Sequence, residues 1–166
     1  ELDVKKNLDF IGLRGLSFVC NAAYIYSRVR FEEGAPERDR PLAGQSPYLV
    51  NAGFFYQYDD KGISASLLYN RIGKRIESVG VPMQNQNEDI PDIYEMPRNS
   101  LDLTFSKKIG KIVEIKAGIQ DMLNSKVEYK QFVKLTDDKG GKSEREQLIR
   151  SYRPGVDINI GVSLRF

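Results

Sequence analysis

The residue types that carry most hydrolytic, redox and metal chemistry are scarce in this sequence. The chain has 166 residues, with no histidine and a single cysteine, Cys20. A Ser-His-Asp triad, a Cys-His pair and an H-E-x-x-H zinc site all need histidine, and a disulfide or a C-x-x-C pair needs two cysteines. We therefore expect no catalytic residue, no cofactor and no metal.

One segment has part of the spacing of a phosphate-binding loop. Gly141, Lys142 and Ser143 match the end of the pattern G-x-x-x-x-G-K-S, but Thr136 occupies the position of the first glycine. The segment also lacks the buried strand before and the helix after that such a loop requires. The neighbouring Asp137 and Asp138 lack the spacing of an EF-hand. We expect neither a nucleotide site nor a calcium site here.

The elements that position side chains in this chain are β-strands, because hydrophobicity alternates with a period of two. The segment from Val156 to Phe166 has an apolar residue at every second position, and the same alternation occurs upstream. No stretch shows the 3.6-residue period of an amphipathic helix. The pattern predicts an all-β antiparallel fold of about seven strands, over residues 2–10, 16–28, 48–58, 63–70, 99–107, 112–120 and 156–166.

The connections between these strands alternate between short and long. Short turns lie at 11–15, 59–62 and 109–111, and long segments lie at 31–47, about 76–97 and about 123–154. The charged run 136–147 is interpreted as a loop tip. In an up-and-down antiparallel sheet all the long loops then lie at one end, as in transmembrane barrels of the outer membrane.

The two faces of such strands would meet different surroundings. In an outer-membrane barrel the apolar face contacts lipid, and the polar face, which carries full charges here, lines the lumen. Tyrosines near the strand ends are then membrane-interface aromatics. An odd number of antiparallel strands cannot close a barrel, which indicates part of a larger one. The interface aromatics are Tyr24, Tyr26, Tyr48, Tyr56 and Tyr58.

Two alternatives stay open at this point. One is a small outer-membrane structural barrel, and the other is a soluble β-sandwich whose long loops bind a ligand. No apolar run approaches the roughly 20 residues that a membrane-spanning helix needs. The opening segment 1–10 has neither Met nor an apolar signal segment, so we expect a mature product or a piece of a longer protein.

Four motifs, in matching order along the chain, resemble TonB-dependent outer-membrane receptors of the Bacteroidetes type. They are ELDVKKNLDFIG at 1–12, RPLAGQSPYLVNAGFFYQ at 40–57, LDLTFSKKIGKIVEIKAGIQDMLNSKVEY at 101–129 and RSYRPGVDINIGVSLRF at 150–166. The resemblance implies that residues 1–166 are the C-terminal portion of a 22-stranded barrel in the outer membrane of a Gram-negative bacterium. The plug domain and the N-terminal strands of that barrel would lie outside the chain.

The resemblance also implies a function and partners. The function is import of a bulky nutrient or metal chelate, without enzymatic activity. The implied partners are outer-membrane lipid, the barrel-assembly machinery, TonB through the missing plug domain and a surface lipoprotein. No nucleic-acid partner is expected.

Individual residues receive roles from the same comparison. Val162, Leu164 and Phe166 resemble the closing strand that the assembly machinery reads, for which strand addition at a sheet edge gives the physical basis. Contacts with a ligand or a lipoprotein would come from the long loops, although any solvated polar loop has a similar composition. The loop residues proposed for these contacts are Arg38, Arg40, Gln84, Asn85 and Tyr94.

Overall fold

The computed structural model of the chain describes residues 1–35, 37–82, 90–136 and 141–164. Regular structure in these ranges consists of eleven strands and two short 3-10 turns, Asp9–Ile11 and Asp59–Lys61, so the all-β prediction is confirmed. None of the helical turns described has the length and apolar character to cross a membrane. The strands are β1 Leu2–Asn7, β2 Leu16–Tyr24, β3 Tyr48–Tyr58, β4 Ile63–Ile72, β5 Arg75–Ser78, β6 Ile93–Glu95, β7 Arg98–Ile109, β8 Val113–Gln120, β9 Val127–Thr136, β10 Lys142–Tyr152 and β11 Asp157–Leu164.

Seven of these strands form one antiparallel sheet in the order β1-β2-β3-β4-β7-β8-β11. They are the seven strands that the alternation predicts, and the largest differences from the predicted bounds are at the ends of β1 and β2. β1 ends at Asn7 because Asp9–Ile11 form a turn, and β2 ends at Tyr24, before Tyr26. Within the described ranges β1 and β11 each pair on one side only, so the sheet is open and no closed barrel is formed.

The three short turns lie side by side at one end of this sheet, as predicted. Gly62, in the turn after β3, has a positive φ of 59°, which glycine adopts without steric cost. Its carbonyl accepts from the Lys108 amide at 2.7 Å, and the Gly15 carbonyl accepts from the Gln57 amide at 2.8 Å. Backbone bonds therefore link the first two turns to the neighbouring strands β3 and β7.

The prediction of long loops over 76–97 and 123–154 is wrong. Each region contains two strands, and these four form a second antiparallel sheet in the order β10-β9-β6-β5. The alternation is hidden because charged residues lie on both faces, as in Glu144, Arg145 and Glu146 of β10. Backbone pairing with β9 nevertheless extends from Lys142 to Tyr152. Much of the charged run read as a loop tip is therefore strand, while 137–140 lie outside the described residues.

The smaller sheet repeats the strand order of the larger one. β5 follows β4, β6 precedes β7, β9 follows β8 and β10 precedes β11, so two long hairpins run through both sheets. In the first hairpin Ile72 pairs with Arg98 and Arg75 pairs with Glu95, so the register continues across the break. In the second hairpin the break between β8 and β9 contains Asp121 and Asn124, which have positive φ angles of 53° and 44°.

Few side chains of the described residues are buried. The buried apolar residues are Ile76, Val127 and Tyr129, all in the smaller sheet. Among the described residues no apolar side chain of the larger sheet is buried, so neither of its faces packs against a second sheet as in a β-sandwich. The larger sheet is consequently a single layer whose two faces are both accessible.

Candidate functional site

A continuous apolar surface crosses all seven strands of the larger sheet. Directly opposed residues of neighbouring strands share a face, so the surface can be followed through the register of pairing. We call it the apolar face. Its central rows contain Val4, Phe18, Cys20, Ala52, Phe54, Leu67, Tyr69, Leu101, Leu103, Phe105, Ala117, Ile119, Ile158 and Ile160.

The apolar face is not covered by any described part of the chain. Phe54, Leu67 and Phe105 lie at its centre and are 43%, 37% and 44% exposed. Ile158 and Ile160 at its β11 edge are 68% and 77% exposed. Soluble monomers rarely expose contiguous apolar patches of more than a few hundred Å². An apolar partner that covers this face is therefore expected.

The five tyrosines predicted for a membrane interface lie at the two ends of the apolar face or just beyond it. Tyr24 and Tyr48 are directly opposed at the end near the long connections, and Tyr26 lies just outside β2. Tyr56 and Tyr58 lie at the turn end of β3. β3 has 11 residues, or roughly 33 Å from Tyr48 to Tyr58, which projects to about 25 Å at a strand tilt of about 40°.

Hydrogen-bonded polar groups mark the end of the apolar face near Tyr48. Nη1 of Arg71 donates to Oδ1 of Asn99 at 2.7 Å, and the Tyr69 hydroxyl donates to the same oxygen at 2.8 Å. Nε of Arg71 lies 3.3 Å from the Tyr48 hydroxyl. The arginine is thus held among aromatic rings at the boundary between apolar and polar surface.

The opposite surface of the larger sheet, the polar face, contains ladders of hydrogen-bonded side chains. The Ser64 and Ser106 hydroxyls are 2.8 Å apart, and those of Ser66 and Thr104 are 2.6 Å apart. Nδ2 of Asn21 donates to Asp3 at 2.6 Å. These side-chain bonds link β1 to β2 and β4 to β7 across the polar face.

Leu68 departs from the predicted alternation, and the structure explains it. It lies on the polar face, where Gly53 of β3 provides room for its side chain. A Cβ at Gly53 would come within 2.5 Å of the Leu68 Cδ2. Phe55 lies beside them, so these residues form a small apolar patch on the polar face.

Tyr94, predicted as a loop contact, lies instead in β6 of the smaller sheet. Its ring meets the Phe132 ring edge to face, with centroids 5.7 Å apart. Nζ of Lys74 lies 4.2 Å from both ring centroids. Burial, together with the neighbouring Asp92 carboxylate, raises the pKa of the Tyr94 hydroxyl. Gly73 is on the side of the Tyr48 ring, which belongs to the apolar face. The next residue, Lys74, is therefore on the opposite side, so this aromatic-cation cluster continues the polar face.

A second cation on the same side is held by carboxylates. Nζ of Lys130 lies 2.6 Å from Glu146 and 3.3 Å from Glu128. Hydrogen bonds to Glu146 and Glu128 raise the pKa of the Lys130 ammonium. The side that continues the polar face therefore presents balanced charges beside an aromatic pair, an arrangement suited to a polar ligand.

The junction between the sheets contains a largely buried ion pair. Nη2 of Arg98 contacts Oδ2 of Asp121, with side chains 27% and 13% exposed. The Asp121 amide donates to Oδ1 of Asp102 at 2.8 Å. Arg98 Nε and Asp121 Oδ1 are buried without a hydrogen-bond partner among the described residues. The pair ties β7 to the turn after β8.

The loop residues Arg38 and Arg40 lie in the connection between β2 and β3. The Arg40 guanidinium lies 5.1 Å from the Phe31 ring centroid, and the Arg40 backbone pairs with Val29. Arg38 is exposed on the same loop. An exposed ion pair between Arg28 and Asp39, 2.8 Å apart, lies across this loop. The backbone amide of Phe31 and the Arg28 guanidinium lower the pKa of Asp39.

The remaining predicted residues divide into two groups. Val162 and Leu164 lie on β11, 62% and 56% exposed on the apolar face. Gln84, Asn85 and Phe166 lie outside the described residues. Sequence reasoning missed Lys74 and Phe132, because each contacts Tyr94 across a pairing that no local pattern reveals. Val127, Tyr129 and Val133 of β9 did show a weak alternation.

The candidate site consists of two extended surfaces, the apolar face and the polar face with its continuation on the smaller sheet. Among the residues that the structure describes, no group of three or more Cys, Asp or Glu side chains is placed to hold a metal ion. Comparison with known proteins finds no matching family model, no matching curated protein and no matching solved structure.

Proposed function

We propose that this chain forms part of the wall of a transmembrane β-barrel in an outer-membrane TonB-dependent receptor, which imports a bulky nutrient or metal chelate. The observation that carries the proposal is the uncovered apolar face across seven strands, with tyrosines at both ends. Lipid hydrocarbon is the partner that fits such a face, because it covers apolar surface and offers no hydrogen bonds.

The dimensions of the apolar face support this setting. The apolar band of an outer-membrane barrel is roughly 25 Å tall, and β3 from Tyr48 to Tyr58 spans a similar projected height. Both ends of β3 carry tyrosines, and aromatic rings are enriched at membrane interfaces. The open edges at β1 and β11 can pair with further strands of a larger barrel.

The other surfaces fit a receptor. In this proposal the polar face lines the lumen, and the smaller sheet extends the wall beyond the outer end of the membrane. The aromatic-cation cluster of Lys74, Tyr94 and Phe132 then lies on the lumen side of that extension, where a solute enters. The receptor class itself rests on the four motifs that resemble the family.

Two neighbouring phenylalanines provide a direct test of the lipid contact. The chain lacks tryptophan, and Phe54 and Phe55 are 43% and 40% exposed on opposite faces of β3. In vesicles of phospholipid brominated in the acyl chains, Phe54→Trp should show blue-shifted emission and strong quenching. Phe55→Trp should be quenched little by the bromine atoms, because its ring faces away from lipid.

Two results would contradict the contact between the apolar face and lipid. Equal quenching at both positions, or a compact monomer that stays soluble without detergent, would exclude the lipid contact. The receptor assignment is tested separately on the complete gene. A plug domain and a TonB-binding segment encoded upstream are expected, and a complete upstream sequence with neither would refute it.

A further inference from the structure

The smaller sheet has a row of charged and aromatic residues on the side that continues the apolar face. Arg75, Glu95, Tyr129 and Arg150 are directly opposed in β5, β6, β9 and β10, and we call them the arginine row. The row shares a side with Arg71, because Gly73 between Arg71 and Arg75 faces the Tyr48 ring. It lies about 13 Å along the strand from Arg71.

Arg150 is placed to bind an anion. Its guanidinium lies 4.1 Å from the Tyr129 ring centroid and 5.7 Å from that of Tyr152. Arg150 is exposed, and no described carboxylate forms an ion pair with it. Stacking on aromatic rings fixes the plane of a guanidinium and leaves its N–H groups available for a bidentate acceptor.

The charge around the row is positive. Nε and Nη2 of Arg75 donate to Oε2 of Glu95 at 2.9 and 2.7 Å, so this pair is neutral as a unit. Arg150 at one end and Arg71 below the row add positive charge that no described carboxylate balances. The surface is therefore complementary to an anion rather than to a zwitterion.

The position of the row identifies the source of that anion. Gly73 is level with Tyr48 at the end of the apolar face, and Arg75 lies two residues farther along the strand. A strand distance of about 7 Å at a tilt of about 40° places the row about 5 Å beyond the end of the apolar face. Lipid headgroups occupy this depth, because the bilayer is about 30 Å thick in its hydrocarbon core and about 40–45 Å with headgroups. Free solutes would instead meet the lumen side.

We propose that the arginine row binds the phosphate of an anionic lipid in the leaflet next to this end of the apolar face. Arg150 supplies the bidentate contact, and Tyr129 and Tyr152 hold its guanidinium. The inference rests on the proposed function, since the row meets headgroups only if the apolar face is in a membrane. It adds a lipid preference that the apolar face alone does not require.

The test uses the complete protein reconstituted in vesicles of phosphatidylcholine with or without phosphatidylglycerol. The thermal unfolding midpoint and lipid selectivity are measured for the wild type, Arg150→Gln, Arg150→Lys and Arg145→Gln. Arg145 is the matched control because it lies on the same strand, five residues farther from the apolar face. Inorganic phosphate added to phosphatidylcholine vesicles separates a headgroup site from a site for free phosphate.

Anionic lipid should raise the midpoint of the wild type, and Arg150→Gln should reduce the lipid selectivity by roughly fivefold, the contribution of one basic side chain at a membrane surface. Arg150→Lys should retain part of it, and Arg145→Gln should behave as the wild type. An unchanged response in Arg150→Gln, or an equal response to inorganic phosphate, would overturn the inference. If Phe54→Trp is quenched by lipid while no anionic selectivity appears, this inference alone fails. If Phe54→Trp is not quenched, the proposed function fails first.

Discussion

Gly73 lies opposite Pro97 at the break between the two sheets. The pairs on either side, Ile72 with Arg98 and Arg75 with Glu95, keep one register. Proline has no N–H to donate to a ladder, and the Gly73 amide donates instead to the Tyr48 carbonyl at 3.0 Å. The break is therefore a local loss of hydrogen bonds and leaves the faces of the hairpin unchanged.

The contact between Gly73 and Tyr48 predicts a steric effect. A Cβ at Gly73 would lie 2.8 Å from both the Ser46 Oγ and the Tyr48 Cε1. Gly73→Ala should lower the free energy of unfolding by about 1–2 kcal/mol, as expected for overpacking. Gly161→Ala is the control, since a Cβ there meets nothing within 4 Å. Urea unfolding in the same detergent measures both, and equal midpoints would contradict the contact.

Leu67 and Leu68 allow a test of the two faces with a single residue type. They are adjacent in β4 and 37% and 38% exposed, but they lie on the apolar and polar faces respectively. In a bilayer Leu67→Arg should cost about 2–4 kcal/mol, because it places a charge against lipid near the middle of the membrane. Leu68→Arg should cost less, since its face is polar. Unfolding from vesicles measures both, and a larger loss in Leu68→Arg would reverse the assignment of the faces.

The ion pair of Arg98 and Asp121 should contribute strongly to stability. Asp121→Asn leaves the largely buried guanidinium without its counter-charge, which should cost on the order of 3 kcal/mol. Asparagine tolerates the positive φ of this position, so backbone strain does not confuse the result. Asp39→Asn removes the exposed partner of Arg28 and should have a clearly smaller effect. Thermal unfolding compares the two, and similar losses would show that burial of the Arg98 pair is unimportant.

The aromatic-cation cluster predicts a dependence of stability on alkaline pH. Burial raises the pKa of Tyr94 in the folded protein, whereas in the unfolded chain tyrosine ionises near its ordinary value of about 10. The contribution of Tyr94 to the free energy of unfolding is therefore complete below about pH 10. It is lost as the pH rises through the pKa that Tyr94 has in the folded protein. Tyr94→Phe keeps the ring beside Lys74 and should weaken this decline.

Absorbance of ionised tyrosine, followed with unfolding midpoints between about pH 9 and 11, provides the measurement. Tyr129, whose pKa burial also raises, accounts for part of the decline that remains in Tyr94→Phe. A Tyr94→Phe protein that loses stability as steeply as the wild type would show that the Tyr94 hydroxyl is not protected by the cluster.

The sequence was sufficient to predict the larger sheet but not the smaller one. Ile158, Ile160 and Val162 alternate with polar residues because one face of β11 is apolar, and this contrast is visible in a single strand. In β10 the consecutive charges Glu144, Arg145 and Glu146 remove the contrast. The pairing of β10 depends on backbone hydrogen bonds to β9. An alternation of apolar and polar side chains gives no information about these bonds.

The side-chain clusters were beyond prediction for a related reason. Lys74, Tyr94 and Phe132 meet only because β5, β6 and β9 are neighbours in a particular register. Arg150 and Tyr129 are likewise joined by the β9–β10 pairing. Composition identified Tyr94 as a residue of interest, but its partners follow from topology and not from spacing along the chain.

The shared strand order of the two sheets has a consequence for how the protein enters a membrane. In the proposed setting, β8 and β11 cross the bilayer while the β9–β10 end of the same hairpin emerges on the far side. Glu144, Arg145 and Glu146 must then be carried across the bilayer during insertion, and charged side chains have a high energetic cost in hydrocarbon. The rate of membrane insertion should therefore depend on the charge of this part of β10, although it lies outside the membrane in the inserted protein. The stability of the inserted sheet should not depend on that charge.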